Sequence, residues 1–390
     1  MPVPIAADPP AEEDRPPRLR FDLAEASGAL GDLGTFLPLV VALATVGGLD
    51  LGAILFFAGI CNILSGLAFG QPIPVQPMKA IAAVAIAEAL APAEIAAAGL
   101  AAGAVVFLLG ATGLVEVVER RVPAAVVRGI QLGVGLKLFV AGIQQIGPLG
   151  PELEGPLLAA GGAALVLLTG RWPRFPAALL LFLAGFLVLA LRRPELYGHL
   201  ALGWSGPSLV VPDAAAWREG ILRGTLPQLP LTLLNSVIAV CALSEDLFPR
   251  RGIGTRPMAL SVGLMNLGCC WFGAMPMCHG SGGLAGQYRF GARTGGSVVL
   301  LGLAKVLVAV LFGSSAMALL AAYPAAILGL MLCFAGVELA APARKAATPD
   351  GFLVVIVTAG GCLGFDTAVG FLLGLAVALG LGLRDRLRCA

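Results

Sequence analysis

Charged residues are scarce in this sequence. Only 12% of its 390 residues are Asp, Glu, Lys or Arg, which is half of the roughly 25% that soluble domains carry. The formal net charge of only +2 argues against a nucleic-acid-binding protein, which would show a basic face. So few charges cannot cover a soluble globule, and most residues must face lipid or one another.

Residues that commonly carry catalysis or bind metals are also few. The chain has two histidines, His199 and His279, and its eight cysteines form no CxxC pair. Cys269, Cys270 and Cys278 lie near His279, but their spacing fits no standard metal site. We therefore expect no metal, no cofactor and no enzymatic activity.

A secretory signal is not expected either. Residues 1–20 lack the apolar core that such a signal requires. They are rich in proline and charge, which predicts a short disordered cytoplasmic tail.

Apolar sequence is abundant. Hydrophobic residues make up 58% of the chain, the mean hydropathy is +0.93, and runs that could cross ~30 Å of hydrocarbon recur throughout. The predicted fold class is an all-α polytopic membrane protein with about 14 transmembrane segments. We expect these segments near 24–47, 50–69, 77–91, 95–118, 123–146, 154–169, 175–192, 221–243, 256–272, 280–290, 295–319, 322–340, 349–363 and 365–384.

The basic residues support one orientation. With the N-terminus inside, eighteen Lys and Arg residues fall in inner segments and four in outer ones, in agreement with the positive-inside rule. This predicts an integral protein of the cell inner (plasma) membrane with both termini cytoplasmic.

The two halves of the chain resemble each other. Asn62 precedes Phe69-Gly70 and a short proline-containing segment, and Asn266 precedes Phe272-Gly273 and a similar segment. Seven spans per repeat is an odd number, so the second repeat is predicted to be inverted, as in secondary transporters. The predicted units are a first repeat at 21–192, an external linker at 193–220 and a second repeat at 221–390.

Each proline-containing segment interrupts a span. Pro72, Pro74 and Pro77 forbid a continuous helix and favour an extended stretch, with a helix starting near Pro77. The partner segment at 274–283 predicts a second helix that starts near Gly280 or Ser281. Extended backbone at membrane depth is tolerated only inside protein or along a wet cavity.

Two half-helices that start near the midplane of the bilayer would form an anion site. Helix N-termini have unpaired N–H groups and about half a positive charge each, and in an inverted repeat they face each other. Lys79 would add a full charge; alternatively it snorkels to the surface or pairs with Glu88. The polar residues Gln228, Thr232 and Asn235 can donate to an oxyanion, which offers only acceptors.

The candidate residues fall into two groups. An ionised Asp32 would repel an anion, so it and Glu88 are candidates to bind a coupling proton or cation. Asp32 is alternatively a structural partner of Lys79 or Arg128. The candidate substrate-binding residues are Gln76, Met78, Lys79, Gln228, Thr232, Asn235, His279, Gly280, Ser281, Gly282 and Gly283.

Several segments resemble the molybdate transporter family, a branch of the sulfate permease superfamily. They are 31–38, 74–80, 230–241, 246–249, 263–266 and 271–291. The similarity extends over residues 21–384. Sulfate permeases typically carry a cytoplasmic regulatory domain after the last span; this sequence ends six residues after Arg384, which favours the molybdate branch.

The resemblance implies a secondary active transporter of molybdate with fourteen segments in two inverted repeats. A core domain at 21–118 plus 221–319 would hold the substrate, and a gate domain at 119–192 plus 320–390 would form the scaffold. A sulfate transporter is the first alternative, and a nucleobase-type transporter or anion channel of the same fold is the second. The expected partners are the oxyanion, a coupling proton or cation, membrane lipid and a second copy of the chain in a homodimer.

Overall fold

The protein is almost entirely helical, and one two-stranded ribbon lies among its helices. The computed structural model describes residues 19–147, 154–170, 172, 175–346 and 348–389. The predicted disordered tail falls outside the described residues except for Leu19 and Arg20.

The helical segments follow the predicted spans. The α-helices are Leu23–Ala29, Leu33–Thr45, Leu51–Phe69, Lys79–Ala87, Pro92–Ala111, Leu114–Arg121, Ala124–Ile146, Glu154–Thr169, Ala177–Arg192, Ala214–Glu219, Leu226–Leu231, Val240–Leu247, Thr255–Cys269, Ser281–Arg289, Gly296–Phe312, Met317–Ala321, Ala325–Ala340, Pro349–Gly364 and Thr367–Cys389. Tighter 3₁₀ turns are Leu30–Asp32, Pro194–His199, Cys270–Phe272, Gly313–Ala316 and Ala341–Lys345, and wider π-helical turns are Gly220–Thr225 and Thr232–Ala239. The strands are Val75–Pro77 and Met277–His279.

Eight helices in the described part of the chain are long and apolar enough to cross a membrane. Three shorter apolar helices, Glu154–Thr169, Ala177–Arg192 and Pro349–Gly364, accompany them. A mostly helical membrane architecture is thereby confirmed. The crossing of all fourteen segments and the inverted symmetry of the two repeats remain predictions.

The two extended stretches are held by the same side-chain type. The Oδ1 atom of Asn62 accepts a hydrogen bond from the backbone N of Val75 at 2.7 Å. The Oδ1 atom of Asn266 accepts from the backbone N of Met277 at 2.8 Å. An extended chain inside a helical protein has no helical partners for its N–H groups, and these asparagines supply them.

The helices that precede the two stretches also end in the same way. Gly70 closes Leu51–Phe69 with a φ of 62°, and Gly273 follows Cys270–Phe272 with a φ of 78°. This left-handed conformation favours glycine. The repeated Phe-Gly of the sequence therefore marks the end of a helix before an extended stretch.

Glycine contacts pair the long helices. A Cβ on Gly59 would lie 2.7 Å from the carbonyl O of Gly302, and a Cβ on Gly142 would lie 2.4 Å from the carbonyl O of Gly329. Small residues at such points let helix backbones approach closely within a membrane. The first contact joins two helices of the predicted core domain, and the second joins two helices of the predicted gate domain.

The external linker packs onto the helices of the predicted core domain. The backbone N of Gly203 donates to the O of Leu311 at 2.8 Å, and the backbone N of Val210 donates to the O of Trp271 at 2.7 Å. Both acceptors belong to the second half of the sequence.

Candidate functional site

The two extended stretches pair with each other. Val75–Pro77 and Met277–His279 form an antiparallel ribbon in which Gln76 is opposite Cys278. The backbone N of Met78 adds a bond to the O of Pro276 at 2.8 Å. All six ribbon residues are buried, so extended backbone does lie inside the protein, as the prolines predicted.

A half-helix leaves the ribbon at each end. The first half-helix is Lys79–Ala87 and the second is Ser281–Arg289. The ribbon is antiparallel and only three residues long. The two helix starts therefore lie at its opposite ends. The first helix begins at Lys79, two residues later than the expected start near Pro77, because Met78 keeps an extended ψ of 107°.

The start of the first half-helix is capped by a side chain from another helix. The Oε1 atom of Gln228 accepts hydrogen bonds from the backbone N of Ala80 at 2.8 Å and of Ile81 at 3.3 Å. Its Nε2 donates to the Oγ1 of Thr232 at 2.8 Å. Gln228, predicted as a donor to an anion, therefore satisfies the helix start in this conformation.

The local fold around Gln228 follows from two prolines. Pro227 and Pro230 lack N–H donors, and π-helical turns occupy Gly220–Thr225 and Thr232–Ala239 on either side. Such wide turns are common at functional sites. The second turn contains Thr232 and Asn235.

The start of the second half-helix is more open. The Oγ of Ser281 donates to the Oδ1 of Asn235 at 2.6 Å. The backbone N atoms of Gly283 and Leu284 bond to the O of Gly280. Within the described residues, the backbone amides of Ser281 and Gly282 find no acceptor.

The side chain of Gln76 bridges this start and Asp32. Its Nε2 donates to the Oδ1 of Asp32, which lies at the 3₁₀ turn that interrupts the first span. A Cβ on Gly283 would lie 2.6 Å from the same Nε2 and 2.7 Å from the Oδ1 of Asp32. Glycine at position 283 therefore makes room for the pair.

Lys305 is a candidate site residue that the sequence analysis missed. Only 5% of it is exposed, its Nζ lies 3.3 Å from the centre of the Phe36 ring, and it interacts electrostatically with Asp32. The signal was available, since a lysine inside an apolar span suggests function by default.

Two predicted residues lie behind the ribbon. His279 is fully buried; its Nδ1 is 3.2 Å from the O of Pro74, and its Nε2 is 2.9 Å from the Oγ of Ser261. Both ring nitrogens thus have protein partners. Met78 is also buried, so both side chains pack rather than face an open cavity.

Glu88 lies apart from the other candidates. It follows the C-terminal end of the first half-helix, it is exposed, and its carboxylate accepts from the Nε of Arg223 at 2.6 Å. Lys79, half-buried at the opposite end of that helix, therefore does not pair with it. Arg128, the other proposed partner of Asp32, instead forms an ion pair with Asp246.

The sequence of this chain is similar to those of known proteins. A sequence profile described as "Molybdate transporter of MFS superfamily" matches residues 24–138 and 220–339. The chain is 42% identical to "Molybdate transporter 1" of Arabidopsis thaliana. The alignment is 408 residues long and covers 94% of this chain and 90% of that protein. The chain belongs to the molybdate transporter family. "Molybdate transporter 1" of Chlamydomonas reinhardtii is 35% identical, with 90% of each chain covered.

Two solved structures have the same fold as this member of the molybdate transporter family. The transmembrane domain of the cyanobacterial bicarbonate transporter BicA has a TM-score of 0.58 at 16% identity, covering 91% of this chain and 96% of that one. The murine anion transporter Slc26a9 in its inward-facing state has a TM-score of 0.63 at 13% identity, covering 93% and 68%. At these identities the likeness concerns the fold alone.

This family is one of transporters and not of enzymes, as the sequence predicted. Among the described residues, no group of three or more His, Cys, Asp and Glu is placed to hold a metal ion.

The second half-helix contacts a helix of the predicted gate domain, since a Cβ on Gly282 would lie 2.5 Å from the Cδ1 of Leu138. The candidate site of this family member therefore lies where the two predicted domains meet.

Proposed function

We propose that this chain is a secondary active transporter that carries molybdate across the cytoplasmic membrane. The anion would be held between the starts of the two half-helices. The observation that carries this proposal is the buried antiparallel ribbon, which sets one helix N-terminus at each of its two ends. Family membership and the names of the relatives support molybdate as the cargo.

The charges and donors at the site suit a tetrahedral dianion. Each helix start contributes about half a positive charge, and Lys79 stands at the first position of its helix. The amides of Ser281 and Gly282, which have no acceptor in the described part of the chain, can donate to an oxyanion, which presents only acceptors. Because Gln228 already caps the first half-helix, we assign the direct backbone contacts to the second.

Transport would proceed by movement of the core domain, 21–118 plus 221–319, against the gate domain, 119–192 plus 320–390. The glycine contacts within each group support rigid units, and the contact of Gly282 with Leu138 puts the anion at the moving boundary. We also propose that the chain crosses the inner membrane fourteen times in two inverted repeats, with both termini in the cytoplasm.

Uptake into proteoliposomes tests the cargo. Purified protein should accumulate labelled molybdate, and equimolar sulfate should leave most of this uptake intact. Full suppression by equimolar sulfate would reassign the protein to sulfate, the alternative of the same superfamily.

The Lys79→Ala variant tests the site. It should bind molybdate at least about tenfold more weakly, since it removes a charge of opposite sign. Lys137→Ala is the matched control, because Lys137 is half-buried on a helix of the predicted gate domain and donates to the O of Phe365, the residue that follows Pro349–Gly364. Equal affinity in the two variants would contradict a role for Lys79 in the site.

A further inference from the structure

Three buried polar atoms next to the proposed anion site have no hydrogen-bond partner among the described residues. They are the Oδ2 of Asp32, the Oε1 of Gln76 and the Nζ of Lys305. Their side chains are 1%, 0% and 5% exposed, respectively. Such groups are costly to bury without partners, and ionisable ones within a membrane usually serve function.

These atoms come from three separate elements. Asp32 ends the turn that interrupts the first span, Gln76 is at the centre of the ribbon strand Val75–Pro77, and Lys305 lies on Gly296–Phe312. The fold therefore brings the carboxylate and the ammonium together across two helices of the predicted core domain.

Asp32 is the carboxylate of this cluster. The titratable groups that act on it electrostatically are Lys305, Lys79 and the thiol of Cys278; those that act on Lys305 are Asp32 and the thiol of Cys61. The aromatic face of Phe36 also favours an ammonium at position 305, through its negative quadrupole.

This arrangement disfavours a metal cation beside Asp32. Hard cations require several oxygen ligands, whereas one carboxylate oxygen already accepts from the Nε2 of Gln76. The Lys305 ammonium would repel a second cation at close range. A proton needs only the free oxygen, Oδ2.

We propose that Asp32 and Lys305 form the coupling site of the transporter and that the coupling ion is a proton, bound at the Oδ2 of Asp32. This inference rests on the transport function proposed above. The proton would be taken from water on the side to which the core domain opens, and released to water on the other side together with the anion.

Charge balance explains why the proton and the anion would travel together. With both Lys79 and Lys305 protonated and Asp32 ionised, the cluster carries a charge of +1. Protonation of Asp32 raises this charge to +2, which equals the charge of the dianion with opposite sign. Each ligand therefore favours the binding of the other, and this coupling is reciprocal.

Proteoliposomes with controlled gradients test the identity of the ion. With the membrane potential clamped, an outside pH one unit below the inside should raise molybdate accumulation several-fold, because one unit corresponds to about a tenfold proton ratio. An inward sodium gradient at equal pH should give no increase. Accumulation driven by sodium, or unaffected by the pH gradient, would overturn the inference while leaving molybdate transport standing. A protein that neither binds nor moves molybdate would instead contradict the proposed function.

Binding measurements on variants test the residues without relying on turnover. Wild-type protein should bind molybdate several-fold more tightly at pH 6 than at pH 8. Asp32→Asn keeps an acceptor for Gln76 and fixes the cluster charge at +2, so its affinity should be high and equal at both pH values. Lys305→Met lowers the charge by one and should bind at least about tenfold more weakly, whereas Lys137→Met should resemble wild type.

The double variant Asp32→Asn/Lys305→Met restores the charge of +1. Its affinity should lie between those of the two single variants and should not change with pH. A pH dependence that persists in Asp32→Asn would overturn the assignment. Should Lys305→Met fail to fold, Asp32→Asn and the gradient measurements still decide the matter.

Discussion

Adding a methyl group at Gly282 could affect either the anion or the neighbouring gate helix. The backbone amide of Gly282, at the start of the second half-helix, has no acceptor among the residues that the structure describes, and a Cβ there would lie 2.5 Å from the Cδ1 of Leu138 on the predicted gate domain. A larger residue could therefore hinder the anion, the gate helix or both. A pair of substitutions distinguishes these effects.

Gly282→Ala should reduce molybdate affinity by at least about tenfold if the anion approaches this backbone closely. The double variant Gly282→Ala/Leu138→Ala removes the clash with the gate helix and should remain weak in isothermal titration calorimetry. Recovery of wild-type affinity in the double variant would assign the loss to the gate contact and would contradict the backbone site.

Two asparagines form hydrogen bonds to the ribbon, and Asn266 forms more of them than Asn62. Asn266 donates to the O of Val262 at 2.7 Å and to the O of Met277 at 2.6 Å, in addition to accepting from the N of Met277. Asn62 accepts from the N of Val75, and its Nδ2 has no partner in the described part of the chain. The second stretch is therefore held by more bonds than the first.

Substitution by leucine should expose this difference. Asn266→Leu leaves two buried backbone groups of Met277 without this partner, each costing about 1–3 kcal/mol, whereas Asn62→Leu affects the N of Val75 alone. Thermal unfolding in detergent should give Asn266→Leu the lower Tm. Equal or reversed Tm values would show that the asparagine bonds do not govern the stability of the ribbon.

The interrupted elements were predictable because proline and glycine act locally. Pro72, Pro74 and Pro77 fix backbone conformation in any context, and the structure adds that each repeated Phe-Gly pair ends a helix. The side-chain partners were not predictable in the same way. Gln228 caps a helix about 150 residues away in sequence, and Glu88 pairs with Arg223, because helix packing decides which distant groups meet.

At the scale of the whole molecule, one carboxylate joins the two predicted domains. Asp246 is the second-last residue of the span Ala214–Leu247 of the predicted core, and its side chain is 10% exposed. Arg128 and Lys345, both on the predicted gate, donate to it; the Nη2 of Arg128 lies 3.1 Å and the Nζ of Lys345 lies 2.6 Å from its Oδ1. Movement of the core against the gate would have to break these contacts.

Asp246→Asn should therefore shift the protein toward a conformation in which the domains separate at this end. Partly buried charge-assisted bonds contribute about 1.5–3 kcal/mol, which corresponds to a population shift of roughly ten- to hundredfold. Cys278, 3% exposed on the ribbon, reports on this opening. In a variant that retains Cys278 as its single cysteine, the rate of alkylation by N-ethylmaleimide should rise with Asp246→Asn.

Asp350→Asn provides the matched control, because Asp350 pairs with Arg384 and both residues belong to the gate domain. Removing that ion pair should leave the alkylation of Cys278 unchanged. Saturating molybdate should slow the reaction in the Asp246→Asn background, since the anion would lie beside the ribbon. If both variants accelerate alkylation equally, the effect is a general loosening of the helices, and Asp246 does not hold the two domains together.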